Sequence, residues 1–357
     1  MLRGFTRVCR AGLRAYTQIR HSSKSTKPTT SIKDEWRKRR NLIFDNEKDR
    51  QHGDVGRVEK ISVNFIPTSN EESEIELAMN KNMSTPDECA RHMSEGIQKT
   101  AALALVNGQP WDMHRPLVQD CKVKLLTMQM PRDSTALNSA FWRTCSFLLG
   151  AMVESSFKDN IQLYLHSFPR PNIRSGSFVY DVILDLPDWK PTNSELRALS
   201  AQFVKLTREA LPLERLEVSE QVALDMFQDN PYKTKQIPEI AQMNENNSVI
   251  LYRAGEHIDI SKGPMVGNTS IIGRATISAI HKVESDETDR MYRFQGVALP
   301  QGVYLNHFAY NILEERSKKL NDLMWMPINI SEESNDYQPT FKQLEENEER
   351  DSLVAKN

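Results

Sequence analysis

The step Thr85-Pro86-Asp87-Glu88 fixes a helix start more tightly than any other signal in the chain. Threonine serves as N-cap, proline suits the first helical position because its missing N–H would be unpaired there anyway, and Glu88 completes a Thr-x-x-Glu capping box. Ala90, Met93, Ile97 and Ala101 then mark an apolar stripe at helical spacing. Strand-like runs at 58–66 and 74–79 precede this helix, separated by the polar turn Ser69-Asn70-Glu71-Glu72. Two further strands bracket the turn dipeptide Asn107-Gly108, and the last runs over 121–128 with Val123 and Leu125 on one face. The expected order is strand, strand, helix, strand, strand over 58–128.

From Ser134 the pattern is helical again, with Leu137, Phe141, Leu148, Met152 and Val153 near the 3.6-residue period as far as Phe157. Strands are expected at 161–166 and 178–184. A second capping box, Thr192 to Glu195, opens a helix with Leu196, Leu199, Phe203 and Leu206 facing inward. Further strands at 249–253 and 270–281 and a helix over 304–323 complete an α+β reading. With 357 residues, of which 39% are hydrophobic, the chain can bury the cores of two or three domains. No apolar run approaches the roughly 20 residues a membrane-spanning helix needs.

Residues 1–33 hold eight Lys and Arg and no acid, with Leu2, Phe5, Val8 and Leu13 among them. This is the composition of a mitochondrial transit peptide, with cleavage expected within about the first 20 to 35 residues. The whole chain carries −2, and without a segment worth +8 it carries −10. So acidic a remainder excludes a general nucleic-acid binder. Local contact is left to Arg37, Lys38, Arg39 and Arg40, in a basic extension over 34–57 of low apolar content, expected to stay mobile until it meets RNA phosphate. A solvated helix start is the alternative, because Asp34, Glu35, Asp45, Glu47 and Asp49 surround the run. Cys9, Cys89, Cys121 and Cys145 lack Cys-x-x-Cys spacing and imply neither a disulfide framework nor a metal site. The residues from 331 on are acidic and expected to be disordered.

Residues 106–112, Val-Asn-Gly-Gln-Pro-Trp-Asp, followed by Arg115-Pro116-Leu117 and Asp120-Cys121, resemble the TGS domain, a β-grasp module at the front of threonyl-tRNA synthetases. Residues 141–150, 217–233, 259–265 and 293–300 resemble the editing domain of the same synthetases, so the resemblance implies a β-grasp domain over 58–128 and an editing-like α/β domain with a largely antiparallel sheet over 133–300. A C-terminal helical extension over 301–330 would follow. In that family the first and third of these stretches supply two histidines on a helix and a cysteine–histidine pair. Here the four positions read Arg143, Phe147, Ser261 and Met265. Phe and Met cannot move protons near neutral pH, so no hydrolytic catalysis, cofactor or metal is implied. Only 57 residues follow Pro300, too few for an aminoacylation core.

The combination resembles the synthetase-like proteins of the mitochondrial large ribosomal subunit. It implies a structural role in the matrix, with mitochondrial large-subunit ribosomal proteins and ribosomal RNA as partners. Two rival readings are a matrix tRNA-binding regulator and a free hydrolase of mischarged tRNA, the latter with Cys145, His257 and Asp259 as candidates, since a thiol and an imidazole can form a nucleophile and base pair.

Overall fold

The computed structural model describes residues 31–53, 56–67, 73–129, 135–244, 246–285 and 288–322. The expected transit segment up to residue 30 and the acidic stretch from 331 lie outside these residues. The first described element is α1 (Ile32–His52), with the Ser31 hydroxyl accepting from the Lys33 N–H at 3.2 Å.

The first unit comprises β1 (Lys60–Ile66), β2 (Ile75–Asn80), α2 (Pro86–Met93), α3 (Glu95–Thr100), β3 (Ala101–Val106), β4 (Gln109–Trp111) and β5 (Cys121–Thr127). Its sheet order is β2-β1-β5-β3-β4, with β1 and β5 parallel and the other neighbours antiparallel. Both halves of the Thr85/Glu88 capping box are made. The helix that follows is shorter than the apolar stripe suggested. Ser94 is extended, ends α2 and caps α3 by accepting from the Ile97 N–H at 3.1 Å, so Ile97 turns outward and Ala101 opens β3 instead. Asn107 and Gly108 both have positive φ, as the tight β3–β4 hairpin requires.

The second unit begins with α4 (Thr135–Ser156), β6 (Leu163–Ser167), β7 (Phe178–Leu184), α5 (Asn193–Arg208), β8 (Glu214–Ser219), α6 (Glu220–Met226) and α7 (Pro231–Met243). It continues with β9 (Ser248–Ala254), β10 (His257–Ile260), β11 (Ile272–Ser285), β12 (Thr288–Pro300) and α8 (His307–Ser317). Two antiparallel sheets, β11-β12-β7-β6 and β10-β9-β8, make the molecule α+β. No helix among the described residues is long and apolar enough to cross a membrane.

The main core forms around α4, which is buried on nearly all sides from Ala140 to Val153. Gly150 lets it approach β7, since a Cβ there would meet the Tyr180 ring at 2.8 Å. On β3, Ala101, Ala104 and Val106 face the first unit's own core, while Ala102, Leu103 and Leu105 join the core around α4. That explains its uninterrupted apolar run, since a strand buried on both faces has no polar side to show. β3 is therefore the strand that contributes to both cores.

Candidate functional site

The basic run near the N-terminus is docked, which corrects the expectation of a mobile segment. Arg40 is 8% exposed; it donates to Glu154 on α4 at 3.0 Å and pairs with Asp229 before α7. Arg39 joins Asp229 at 2.5 Å, and Arg37 reaches Asp34 at 3.3 Å and Glu256 at 3.5 Å. Burial disfavours the Arg40 cation, but the charges of Glu154 and Asp229 outweigh it and raise its pKa. Farther along α1, Phe44 is fully buried in a third apolar cluster with Leu216, Met226, Phe227 and Ile258, and Arg253 lies over its ring and pairs with Asp45 at 2.6 Å. Of the four basic residues only Lys38 is exposed.

Beneath α1 lies a buried set of ionisable groups. Lys233, in the first turn of α7, pairs with Asp259 on β10, and the Tyr180 hydroxyl of β7 donates to the same carboxylate. Asn230 positions this turn, since its side chain accepts from the N–H groups of Tyr232 and Lys233 and donates to the Leu165 carbonyl at 2.7 Å. His257 Nδ1 lies 2.7 Å from Glu154, and its Nε2 has no partner among the described residues. A cavity of about 30 Å³ remains, lined by Trp36, Arg40, Glu154, Asp229, Lys233 and Asp259 among others. It has room for about one or two waters.

Burial works against ionisation of Glu154, yet its hydrogen bond to His257 and the charges of Arg40, His257 and Arg37 hold its pKa down at about 2. A depressed carboxylate stabilises the fold above its unfolded pKa, near 4.5, and that stabilisation disappears as pH falls through the folded value. Acid titration followed by circular dichroism should therefore show a stability loss between about pH 4.5 and 2 that Glu154→Gln removes. An unchanged acid limb in the variant would contradict the assignment.

The side chains at 143, 147, 261 and 265 are engaged in packing and hydrogen bonds. Phe147 is fully buried with its ring edge-on to His257, the centroids 4.9 Å apart. Met265 is buried in the same main core as Phe147. Arg143 donates to the Pro264 carbonyl at 3.0 Å and is lowered to about 10 by burial. The Ser261 hydroxyl accepts from the Gly263 N–H at 3.4 Å.

The hydrolase triad is not assembled. His257 bonds Glu154, Asp259 bonds Lys233 and Tyr180, and burial pushes the Cys145 thiol well above its ordinary value, opposite to what a nucleophile needs. Lys233, Glu154 and Asp229 were missed in the sequence. The Asn230-Pro231-Tyr232-Lys233 step was visible there, but nothing local tied Lys233 to Asp259.

The 261–267 loop joins the two units. Asp112 accepts from the Met265 N–H at 2.8 Å and from the Tyr252 hydroxyl at 2.9 Å, and the Gly267 N–H donates to the Ala102 carbonyl at 2.9 Å. Burial raises the pKa of Asp112 despite the Met265 N–H, Arg215 and Tyr252 around it. Gly263 has φ +71°, and a Cβ there would fall 2.7 Å from Tyr252 Cζ. Gly263→Ala should cost about 2–4 kcal/mol, combining left-handed strain with overpacking, as read by denaturant midpoint. A loss below about 0.5 kcal/mol would remove the joint from the account.

A family model for the TGS domain matches residues 73–127, which span β2 to β5. The large ribosomal subunit protein mL39 of Drosophila melanogaster is 50% identical over 283 residues, covering 79% of this chain and 84% of that protein. The chain belongs to the mL39 family of large ribosomal subunit proteins. Threonine–tRNA ligases match less closely: that of Thermotoga maritima is 31% identical over 240 residues, and a probable cytoplasmic one of Dictyostelium discoideum is 32% identical over 242. Each match takes in 66% of this chain but only 34% and 31% of the ligases, so the chain spans about a third of their length.

Proposed function

We propose that the chain is a non-catalytic structural component of the mitochondrial large ribosomal subunit, acting in the matrix and held mainly by neighbouring proteins with local contacts to ribosomal RNA. The observation that carries the reading is the 50% identity to mL39 over 84% of that protein. The acid-free basic segment at 1–33 supports a mitochondrial address, and the −10 charge of the remainder supports protein neighbours over extensive RNA contact. Within the basic run, Lys38 is the exposed side chain open to a phosphate, while Arg39 and Arg40 serve Asp229 and Glu154.

Sedimentation of mitochondrial extract at moderate and high salt tests the proposal. Cofractionation of the chain with the large subunit under both conditions is the expected result. A soluble low-mass peak at moderate salt would overturn it in favour of a free tRNA-binding regulator.

A further inference from the structure

Arg143 stands on α4 as a half-buried guanidinium that makes no ion pair among the described residues. Its hydrogen bond there is the one that Nη1 donates to the Pro264 carbonyl at 3.0 Å. Nε and Nη2 stay within reach of solvent, since the buried nitrogens without a partner among the described residues are Arg39 Nε, Arg40 Nε and His257 Nε2. Burial lowers the Arg143 pKa to about 10, the direction expected of a cation short of negative charge. The carboxylate that acts on it, Asp112, is already engaged by the Tyr252 hydroxyl and the Met265 N–H, and burial draws Asp112 toward its neutral form. A guanidinium with open donors and no carboxylate of its own is a place for an anion.

Two more cations meet Arg143 from other elements. Arg170, between β6 and β7, is exposed and lines a recess with Trp142 and Ser146, which lie beside Arg143 on α4. Lys262 is exposed two residues before Pro264, whose carbonyl Arg143 holds. Burial lowers the Lys262 pKa, and the charges of Arg143 and Arg170 lower it further, so the three cations share one corner. An anion that joins them relieves that repulsion. A backbone phosphate suits the arrangement: guanidinium forks match its oxygens, the ammonium adds a point charge, and Trp142, half-buried in the same recess, offers ring surface beside them as RNA-binding sites do. We infer that Arg143, Arg170 and Lys262 together bind a backbone phosphate of large-subunit ribosomal RNA; this rests on the ribosomal reading above. The contact lies apart from the run at 37–40, where Arg39 and Arg40 are engaged by Asp229 and Glu154.

The experiment places a photo-crosslinking benzoylphenylalanine at position 172 of the full chain, exposed on the recess beside Arg170, with the same probe at exposed Val118 of the first unit as control. Both chains are assembled in mitochondria, and large subunits are irradiated after isolation. The expected result is a nuclease-sensitive cross-link from position 172, missing from 118, whose RNA sequence is that of the large-subunit ribosomal RNA. The variant Arg170→Gln/Lys262→Gln, changed at two exposed side chains, should in parallel keep the wild-type melting temperature and leave isolated large subunits at lower salt. The slope of log affinity against log salt should fall by about one. A cross-link to protein alone, a cross-link to transfer RNA, or no cross-link from 172 in a chain that still sediments with the subunit would overturn the inference. An unchanged salt profile in the variant would do the same. If the unmodified chain does not sediment with the subunit, the ribosomal reading itself falls and the phosphate site falls with it.

Discussion

Asp259→Ala is expected to destabilise the protein by about 3–5 kcal/mol, because it strands the Lys233 ammonium where side-chain exposure is only 3%. The Tyr180 hydroxyl would lose its acceptor at the same time. Replacing both partners by apolar residues of similar volume, Lys233→Met with Asp259→Leu, should be far less damaging than the single change, since no unpaired charge is then left inside. Denaturant unfolding of Lys233→Met, Asp259→Leu and the double variant gives the coupling energy directly. Additive losses would mean the two groups do not act as a pair.

A loss of similar size, about 3–5 kcal/mol, is expected for Arg40→Ala. Its removal leaves Asp229, whose side chain is 3% exposed, with Arg39 alone, and leaves Glu154 with His257. Lys38→Ala, two residues away on the exposed side of α1, should change stability by less than about 0.5 kcal/mol. Melting temperature and hydrogen exchange over 32–52 on both variants check the contrast. A phosphate grip would behave the other way, with stability unchanged in both variants and assembly weakened in both.

Local chemistry made some elements legible in the sequence and left others hidden. The capping boxes at Thr85 and Thr192 and the Asn107-Gly108 hairpin depend on contacts within a few residues, so their signals survive without tertiary knowledge. The expected strand at 178–184 also coincides with β7, Phe178–Leu184, whose side chains are apolar apart from Asp181. Ser94 stood unnoticed inside an apolar stripe, because its capping of α3 depends on its own extended backbone, which the spacing of neighbours does not reveal. The docking of α1 was invisible for a different reason. Helix α1 is poor in apolar residues, and its anchors, Glu154 and Asp229, lie 114 and 189 residues from Arg40.

At the candidate site the missing side chains at 143, 147, 261 and 265 were legible by comparison of residue types, and their consequence was not. Burial of Phe147 against His257 and the bonding of the 261–267 loop to Asp112 are matters of tertiary packing. His257 and Asp259 share a strand two residues apart, which invited a common role, yet they bond to different partners from different elements, Glu154 on α4 and Lys233 on α7.

The central claim is that the side chains at 143, 147, 261 and 265 are engaged in packing and hydrogen bonds and supply no hydrolytic chemistry. Deacylation of seryl- and threonyl-tRNA by the purified chain tests it most directly, with Cys145→Ala and His257→Ala run alongside. The account predicts hydrolysis at the rate of tRNA alone, identical for all three proteins. Metal-independent hydrolysis above that rate by the unmodified chain, lost in either variant, would contradict it.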